Sequence, residues 1–120
     1  RSEIGVLIFA SHSPDYRRPS TAFILQHRLG IPTEAVVFDV SLGCSSLVYG
    51  MQVVASIMNC SDTKRALLFV GDTAGKSVYP TDRSSAMLFG EAGAGMLFER
   101  KKAIALLRRY CAVMVVDTDI

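Results

Sequence analysis

Cys44 is the residue of this sequence whose surroundings best suit covalent chemistry. It follows a β-type apolar run ending in Phe38-Asp39-Val40 and precedes a run with helical spacing, so a thiol falls where a strand gives way to a helix. Unpaired N–H groups and the dipole at a helix N-terminus stabilise a thiolate. The end of a parallel strand is also where open α/β sheets place ligands. Gly43, Ser45 and Ser46 are small and leave a substrate room to approach the sulfur. The chemistry would be nucleophilic catalysis. The residues alone still favour a buried, inert cysteine, because cysteine is among the most buried residue types. Cys60, at the far end of the following helix, and Cys111, in an apolar run, lack this setting and are assigned to structure.

Other chemical motifs fit less well. Gly71-Asp72-Thr73-Ala74-Gly75-Lys76-Ser77 follows an apolar run as a P-loop does, but its glycines are one residue too close to wrap a phosphate. Val78-Tyr79-Pro80 comes next, so no helix N-terminus faces an anion. Gly90, Gly93 and Gly95 reverse the dinucleotide spacing and precede a strand, which suits close backbone packing. His27 lies in an expected helix beside Arg28 and reads as a surface residue. His12 lies in a strand-end loop, a plausible address for a site, but nothing in the sequence pairs it with a nucleophile.

The elements that would position Cys44 can be read from apolar periodicity. Residues 4–10 form a continuous run of strand formers, expected to be a central strand covered on both faces. The polar stretch 11–19 is a loop. Ser20 can cap a helix holding Ala22, Phe23, Leu25 and Leu29, closed by Gly30 and Pro32. Residues 35–40 give a second buried strand. From Cys44 onward Leu47, Met51, Val54 and Met58 recur at helical steps and should form a stripe buried under the sheet. Residues 65–70 read as a third strand ended by Gly71-Asp72, residues 81–89 as a short helix, and 96–99 as a further strand. Residues 103–107 and 112–116 read as two strands, or a short helix and a strand. This order implies parallel crossovers in an α/β layer fold.

Whole-chain properties agree. A chain of 120 residues, half of them hydrophobic and a fifth charged, fits one globular domain able to bury roughly two thirds of its unfolded surface. A net charge of +2 gives no case for nucleic acid, and Arg100-Lys101-Lys102 with Arg108-Arg109 reads as a solvated turn and helix. Three cysteines, no CxxC and two histidines argue against a disulfide framework and a structural zinc site, and suggest a reducing cytoplasm. No apolar run has the length of a membrane span, and the first residues do not resemble a signal peptide. The missing initiator methionine suggests that the chain begins inside a longer one.

Several motifs, in order, resemble one family. They are Ser13-Pro14-Asp15-Tyr16, Pro19-Ser20-Thr21-Ala22, Phe38-Asp39-Val40 leading to Gly43-Cys44-Ser45 with Tyr49-Gly50, Lys64-Arg65-Ala66-Leu67, Thr81-Asp82-Arg83, and Leu88-Phe89-Gly90-Glu91-Ala92-Gly93-Ala94-Gly95. The sequence from Ile4 to Glu99 resembles the thiolase-fold condensing enzymes, and within them β-ketoacyl-acyl carrier protein synthase III. The resemblance implies an α/β thiolase-like layered fold, with residues 1–120 forming part of its N-terminal half: a mixed, mostly parallel sheet and a buried helix after Cys44. It implies that Cys44 takes an acyl group from acyl-coenzyme A and that the acyl-enzyme condenses with malonyl-acyl carrier protein. Coenzyme A enters as substrate, with no resident cofactor and no metal. The Cys44 N–H would contribute to an oxyanion hole. Arg83 would lie against the coenzyme A adenine, a contact that suits a guanidinium. Phe89 would line the pantetheine tunnel or, on the residues alone, serve as a core phenylalanine.

The sequence departs from the family in two places. Arg18 stands where members often carry an apolar residue that reaches into the acyl pocket of the dimer partner, so either the pocket takes an unusual acyl group or Arg18 turns outward. The family's catalytic His and Asn belong to the second half of a longer chain, and neither His12 nor His27 matches that position. After Glu99 the loop of the family's strand-loop-strand reads as short or absent here, and 117–120 match nothing recognised. The resemblance thus implies a fragment of a homodimeric, cytoplasmic enzyme of fatty acid or related biosynthesis, inactive without its second half. A polyketide- or alkylquinolone-type condensing enzyme, or a non-catalytic dimerisation or acyl-binding module on the same scaffold, would share these motifs.

Overall fold

Strand β1 (Ile4–Ala10) is the axis of the molecule. Its residues face two different helices in alternation, which explains why it is apolar throughout. The computed structural model describes residues 2–79, 81–101 and 110–115. Helix α1 (Thr21–Leu29) follows, then strand β2 (Val36–Val40), helix α2 (Ser46–Cys60), strand β3 (Arg65–Thr73), a 3₁₀ turn (Ala74–Lys76), strand β4 (Glu91–Arg100) and strand β5 (Tyr110–Val115). The sheet order is β2-β1-β3-β4-β5. β1 runs parallel to β2 and β3, while β4 is antiparallel to β3 and to β5. The expected mixed α/β sheet is thus present, with its parallel part around β1.

Among the described residues, each face of the sheet carries one helix. Val6, Ile8 and Ala10 of β1 join Ala66, Leu68, Met96 and Phe98 against Val54 and Met58 of α2. Leu7 packs with Ala22 of α1 and with Ile31 just beyond that helix. Ile4 also lies on the α1 side, because the β1–β3 register shifts between Ile4 and Val6.

The buried stripe of α2 differs from the expected one. Ser46, Gly50, Val54 and Met58 are buried, whereas Leu47 and Met51 are exposed. Gly50 is the cause, since a β-carbon there would lie 2.9 Å from both δ-carbons of the fully buried Leu68. The bare glycine, rather than a large apolar residue, lets the helix sit directly on β3. Cys60, expected to be structural, ends this helix exposed.

Three strand expectations also change. β2 is an edge strand with Val36 exposed, because its outer side has no neighbour in the sheet among the described residues. β3 runs through Gly71-Asp72 to Thr73, and β4 starts at Glu91, because the two pair antiparallel along their whole length. Glycines make this possible: a β-carbon on Gly71 would lie 2.8 Å from the Ala92 carbonyl oxygen and from the Gly93 Cα. Residues 81–88 form turns, not a helix, and their hydrogen bonds are local, such as Ala86 N–H to the Asp82 carbonyl at 2.9 Å. The expected element at 103–107 and the last residues lie outside the described residues, whereas β5 accounts for the run after it.

Candidate active site

The C-terminal ends of β1, β2 and β3 lie at the end of the sheet where the Cys44 turn follows β2. β2 stops at Val40, Leu42 N–H donates to the Val40 carbonyl at 3.2 Å, and Ser46 N–H donates to the Gly43 carbonyl at 2.8 Å. That turn leaves Cys44 exposed, two residues before the first helical residue of α2. Ser45 occupies the N-cap position without a side-chain cap bond. Exposure contradicts the buried reading of Cys44 favoured by the residues alone, and a thiol open to solvent just ahead of a helix suits nucleophilic attack.

The 11–20 loop lies against this turn. Ser11 N–H donates to the Val40 carbonyl at 3.0 Å, and a β-carbon on Gly43 would lie 3.8 Å from the His12 β-carbon. Folding therefore brings His12 beside the Cys44 turn, which no sequence spacing revealed. His27 is on the last turn of α1 and exposed, as expected.

Two aspartates hold the loop. Asp72, at the end of β3, accepts on Oδ1 from Ser11 Oγ (2.9 Å), His12 N–H (2.7 Å), Ser13 N–H (3.1 Å) and Ser13 Oγ (3.1 Å). Ser13 Oγ accepts in turn from Thr73 N–H at 2.8 Å. Burial pushes the Asp72 carboxyl up, but the donated hydrogen bonds together outweigh it and hold the group below the usual carboxylate range. Asp39, inside β2, accepts Thr21 N–H and Ala22 N–H at 2.8 Å each, one on each oxygen. Asp39 thus caps α1 from another strand, while Ser20, the expected cap, makes no side-chain cap bond.

Sequence reasoning missed both roles. The available signal was a carboxylate within or just after an apolar strand, where burial demands partners. Lys76 adds an exposed ion pair with Asp15 of the loop, which gives the lysine of the rejected P-loop a structural role.

The remaining expected site residues lie on separate segments. Arg18 is exposed in the 11–20 loop, where its bond to Pro19 is cis. Arg83 is exposed on the 81–90 segment, and so is Phe89, so Phe89 is not a core residue of the described chain. That segment is organised around Asp82, whose carboxyl is pulled down to about 2 by Ser84 Oγ, then Ser85 Oγ and Ser84 N–H. Among the described residues, no hydrogen bond or ion pair links Cys44, Arg18, Arg83 and Phe89. No group of three or more His, Cys, Asp or Glu that could hold a metal occurs among them either.

The mixed sheet with its helices matches structures of thiolase-like synthase III proteins. The chain belongs to the 3-oxoacyl-[acyl-carrier-protein (ACP)] synthase III family, whose model matches residues 38–113, a span that includes Cys44, Arg83 and Phe89. It is 38% identical over 96 residues to a Levilactobacillus brevis beta-ketoacyl-[acyl-carrier-protein] synthase III, covering 80% of this chain and 29% of that protein. A crystal structure of a 3-oxoacyl-(acyl-carrier-protein) synthase III superposes with a TM-score of 0.81 at 35% identity, over 87% of this chain and 31% of the other. The Pseudomonas aeruginosa 3-oxoacyl-(acyl carrier protein) synthase III superposes with a TM-score of 0.77 at 29% identity, over 82% and 31%. The chain therefore spans less than a third of the length of these relatives. No helix of the described residues is long and apolar enough to cross a membrane.

Proposed function

We propose that these residues are the nucleophile-bearing part of a condensing enzyme, in which Cys44 accepts an acyl group and passes it to a carbon nucleophile. The observation that carries this reading is the exposed Cys44 at a strand-to-helix turn, inside the span that matches the synthase III family. The Cys44 thiolate attacks the thioester carbonyl of an acyl-coenzyme A, and the coenzyme A thiol leaves. Malonyl-acyl carrier protein then loses carbon dioxide, its carbanion attacks the Cys44 thioester, and the Cys44 thiolate is released with the 3-oxoacyl product on the carrier. One difficult carbon–carbon bond formation is thereby divided into two easier steps.

The other site residues follow the same reading. Arg83 stacks on the adenine of coenzyme A, Phe89 lines the path of its pantetheine arm, and Arg18 borders the acyl pocket. Their exposure in these 120 residues is consistent with surfaces that the second half of the fold, a dimer partner or the substrate covers. The reaction needs no resident cofactor or metal. The unpaired cysteine pattern fits a reducing cytoplasm. The His and Asn that stabilise developing charge belong to the second half, so the 120-residue chain by itself is inactive.

The test uses a chain in which these residues are followed by the second half of the family fold. After incubation with acetyl-coenzyme A, mass spectrometry should find an acyl adduct on Cys44 that Cys44→Ala abolishes. No adduct with any acyl donor overturns the reading and favours a non-catalytic module. Malonyl condensation by the 120-residue chain alone contradicts the need for the second half.

A further inference from the structure

We propose that His12 is the proton acceptor of Cys44, a base supplied by these 120 residues themselves. The proposal rests on Cys44 being the acylated residue.

Two chain segments meet at this point. Ser11 N–H donates to the Val40 carbonyl at 3.0 Å, which ties the end of β1 to the end of β2. His12 is the next residue on one side, and a short turn leads to Gly43 and Cys44 on the other. A β-carbon on Gly43 would lie 3.8 Å from the His12 β-carbon, and among the described residues no other residue beyond its chain neighbours comes within 4 Å of it. A neutral imidazole carries one acceptor nitrogen on a ring long enough to extend from there to the adjoining thiol. His12 and Cys44 are both exposed, and among the described residues no hydrogen bond joins them. The bond between a nucleophile and its base is often long in a free enzyme and tightens with substrate.

The charges around His12 suit this role. Asp72 of β3 accepts the His12 N–H at 2.7 Å, which fixes the main chain of residue 12 and sets a carboxylate beside the imidazolium that proton transfer creates. α2 brings no charged residue, since Tyr49 and Cys60 are its only titratable groups. On β2, Asp39 is engaged by the N–H groups of Thr21 and Ala22. Farther along the loop Asp15 pairs with Lys76 of the 3₁₀ turn, while Tyr16, Arg17 and Arg18 are exposed to solvent. In acylation His12 takes the thiol proton as the Cys44 sulfur bonds to the thioester carbonyl carbon. The carbon–sulfur bond to coenzyme A then breaks, and the imidazolium gives the proton to the departing coenzyme A sulfur. The imidazole ends neutral and Cys44 ends as a thioester.

The first test follows iodoacetamide alkylation of Cys44 and Cys60 in the 120-residue chain from about pH 6 to about pH 10, resolved by peptide mass spectrometry. Cys60, exposed at the far end of α2, is the internal reference. At about pH 7, His12→Gln should slow Cys44 at least about fivefold and Cys60 less than about twofold. The Cys44 deficit should vanish near pH 10, because an ordinary thiol, with a pKa of about 8.5, ionises there without help. An unchanged Cys44 rate at about pH 7 overturns the proposal. A deficit of the same size at every pH also overturns it, since that marks a displaced turn and not a lost base. His12→Asn should behave like His12→Gln, and it decides if the glutamine variant fails to fold.

Acylation separates this proposal from the reading beneath it. In the chain followed by its second half, acetyl-coenzyme A should label Cys44 at least about fivefold more slowly in His12→Gln than in wild type at about pH 7. Equal labelling overturns the role of His12 and leaves Cys44 as nucleophile. Absence of label in wild type removes the nucleophile itself, whatever the alkylation profile shows.

Discussion

At the end of the sheet where β1, β2 and β3 finish, Asp39 and Asp72 accept backbone N–H groups from the 11–20 loop and the first turn of α1. At the opposite end charged side chains pair with one another: Arg65 reaches Glu3 and Glu99, all three substantially exposed. The first arrangement ties side chain to main chain and so dictates loop geometry. The second ties flexible side chains together in water, where ion pairs contribute about 0–1 kcal/mol and salt screens them. The chemistry is expected at the first end, where backbone positions must be held, and the other end needs only to close the sheet.

Substitutions at the two ends should expose this difference. The largest effect is expected from Gly71→Val, which forces β3 away from the Ala92 and Gly93 backbone at the Cys44 end. We expect a loss of about 3 kcal/mol in urea unfolding, the upper part of the range for overpacking. A loss below about 1 kcal/mol means that the close β3–β4 approach is not a constraint. Asp72→Ala removes the acceptor shared by Ser11, His12 and Ser13 and should cost about 2 kcal/mol, with faster amide exchange at His12 and Ser13. Asp39→Ala should cost about 1 kcal/mol, the usual loss of a helix cap, with exchange rising at Thr21 and Ala22. Glu3→Gln at the far end should cost less than about 1 kcal/mol, and the difference should vanish in high salt. A larger loss for Glu3→Gln than for Asp39→Ala breaks the contrast.

Acid sharpens it further. The folded Asp72 carboxyl is held below its unfolded value, so its contribution is complete above about pH 4, the ordinary aspartate range, and is lost as pH falls through the lowered value. The acid limb of a stability-pH curve should therefore flatten in Asp72→Asn. An acid limb identical to wild type contradicts this expectation.

Much of the fold could be read from the sequence because the parallel strands and α1 are specified locally. β1 and β3 are apolar runs, and α1 ends at Gly30 in the left-handed conformation (φ 64°), with Ile31 N–H returning to the Gln26 carbonyl at 3.0 Å. Features set by tertiary contact were less legible. The α2 stripe shifted because an absent side chain at Gly50, rather than a present one, defines its contact with Leu68. β3 and β4 extend through polar and glycine residues because ladder pairing, not hydrophobicity, carries them. At the site, Cys44 stood out by its strand-to-helix position and gained its role from motif resemblance, whereas Arg18, Arg83 and Phe89 came from the resemblance alone. Asp39 was visible only as part of a motif, and its partners at Thr21 and Ala22 are 17–18 residues away in sequence. The same distance problem hid His12, which reaches the Cys44 turn only through the pairing of β1 with β2.

The Asp72 contacts also bear on how this loop could diversify. The carboxylate holds His12 by its main-chain N–H, and that grip is indifferent to which side chain the residue carries. Residues 14–18 lie between the anchors and outside the core. Mutation at 14 and 16–18 can therefore change what the loop presents while its two anchored ends stay where they are, a replaceable surface on a fixed mount.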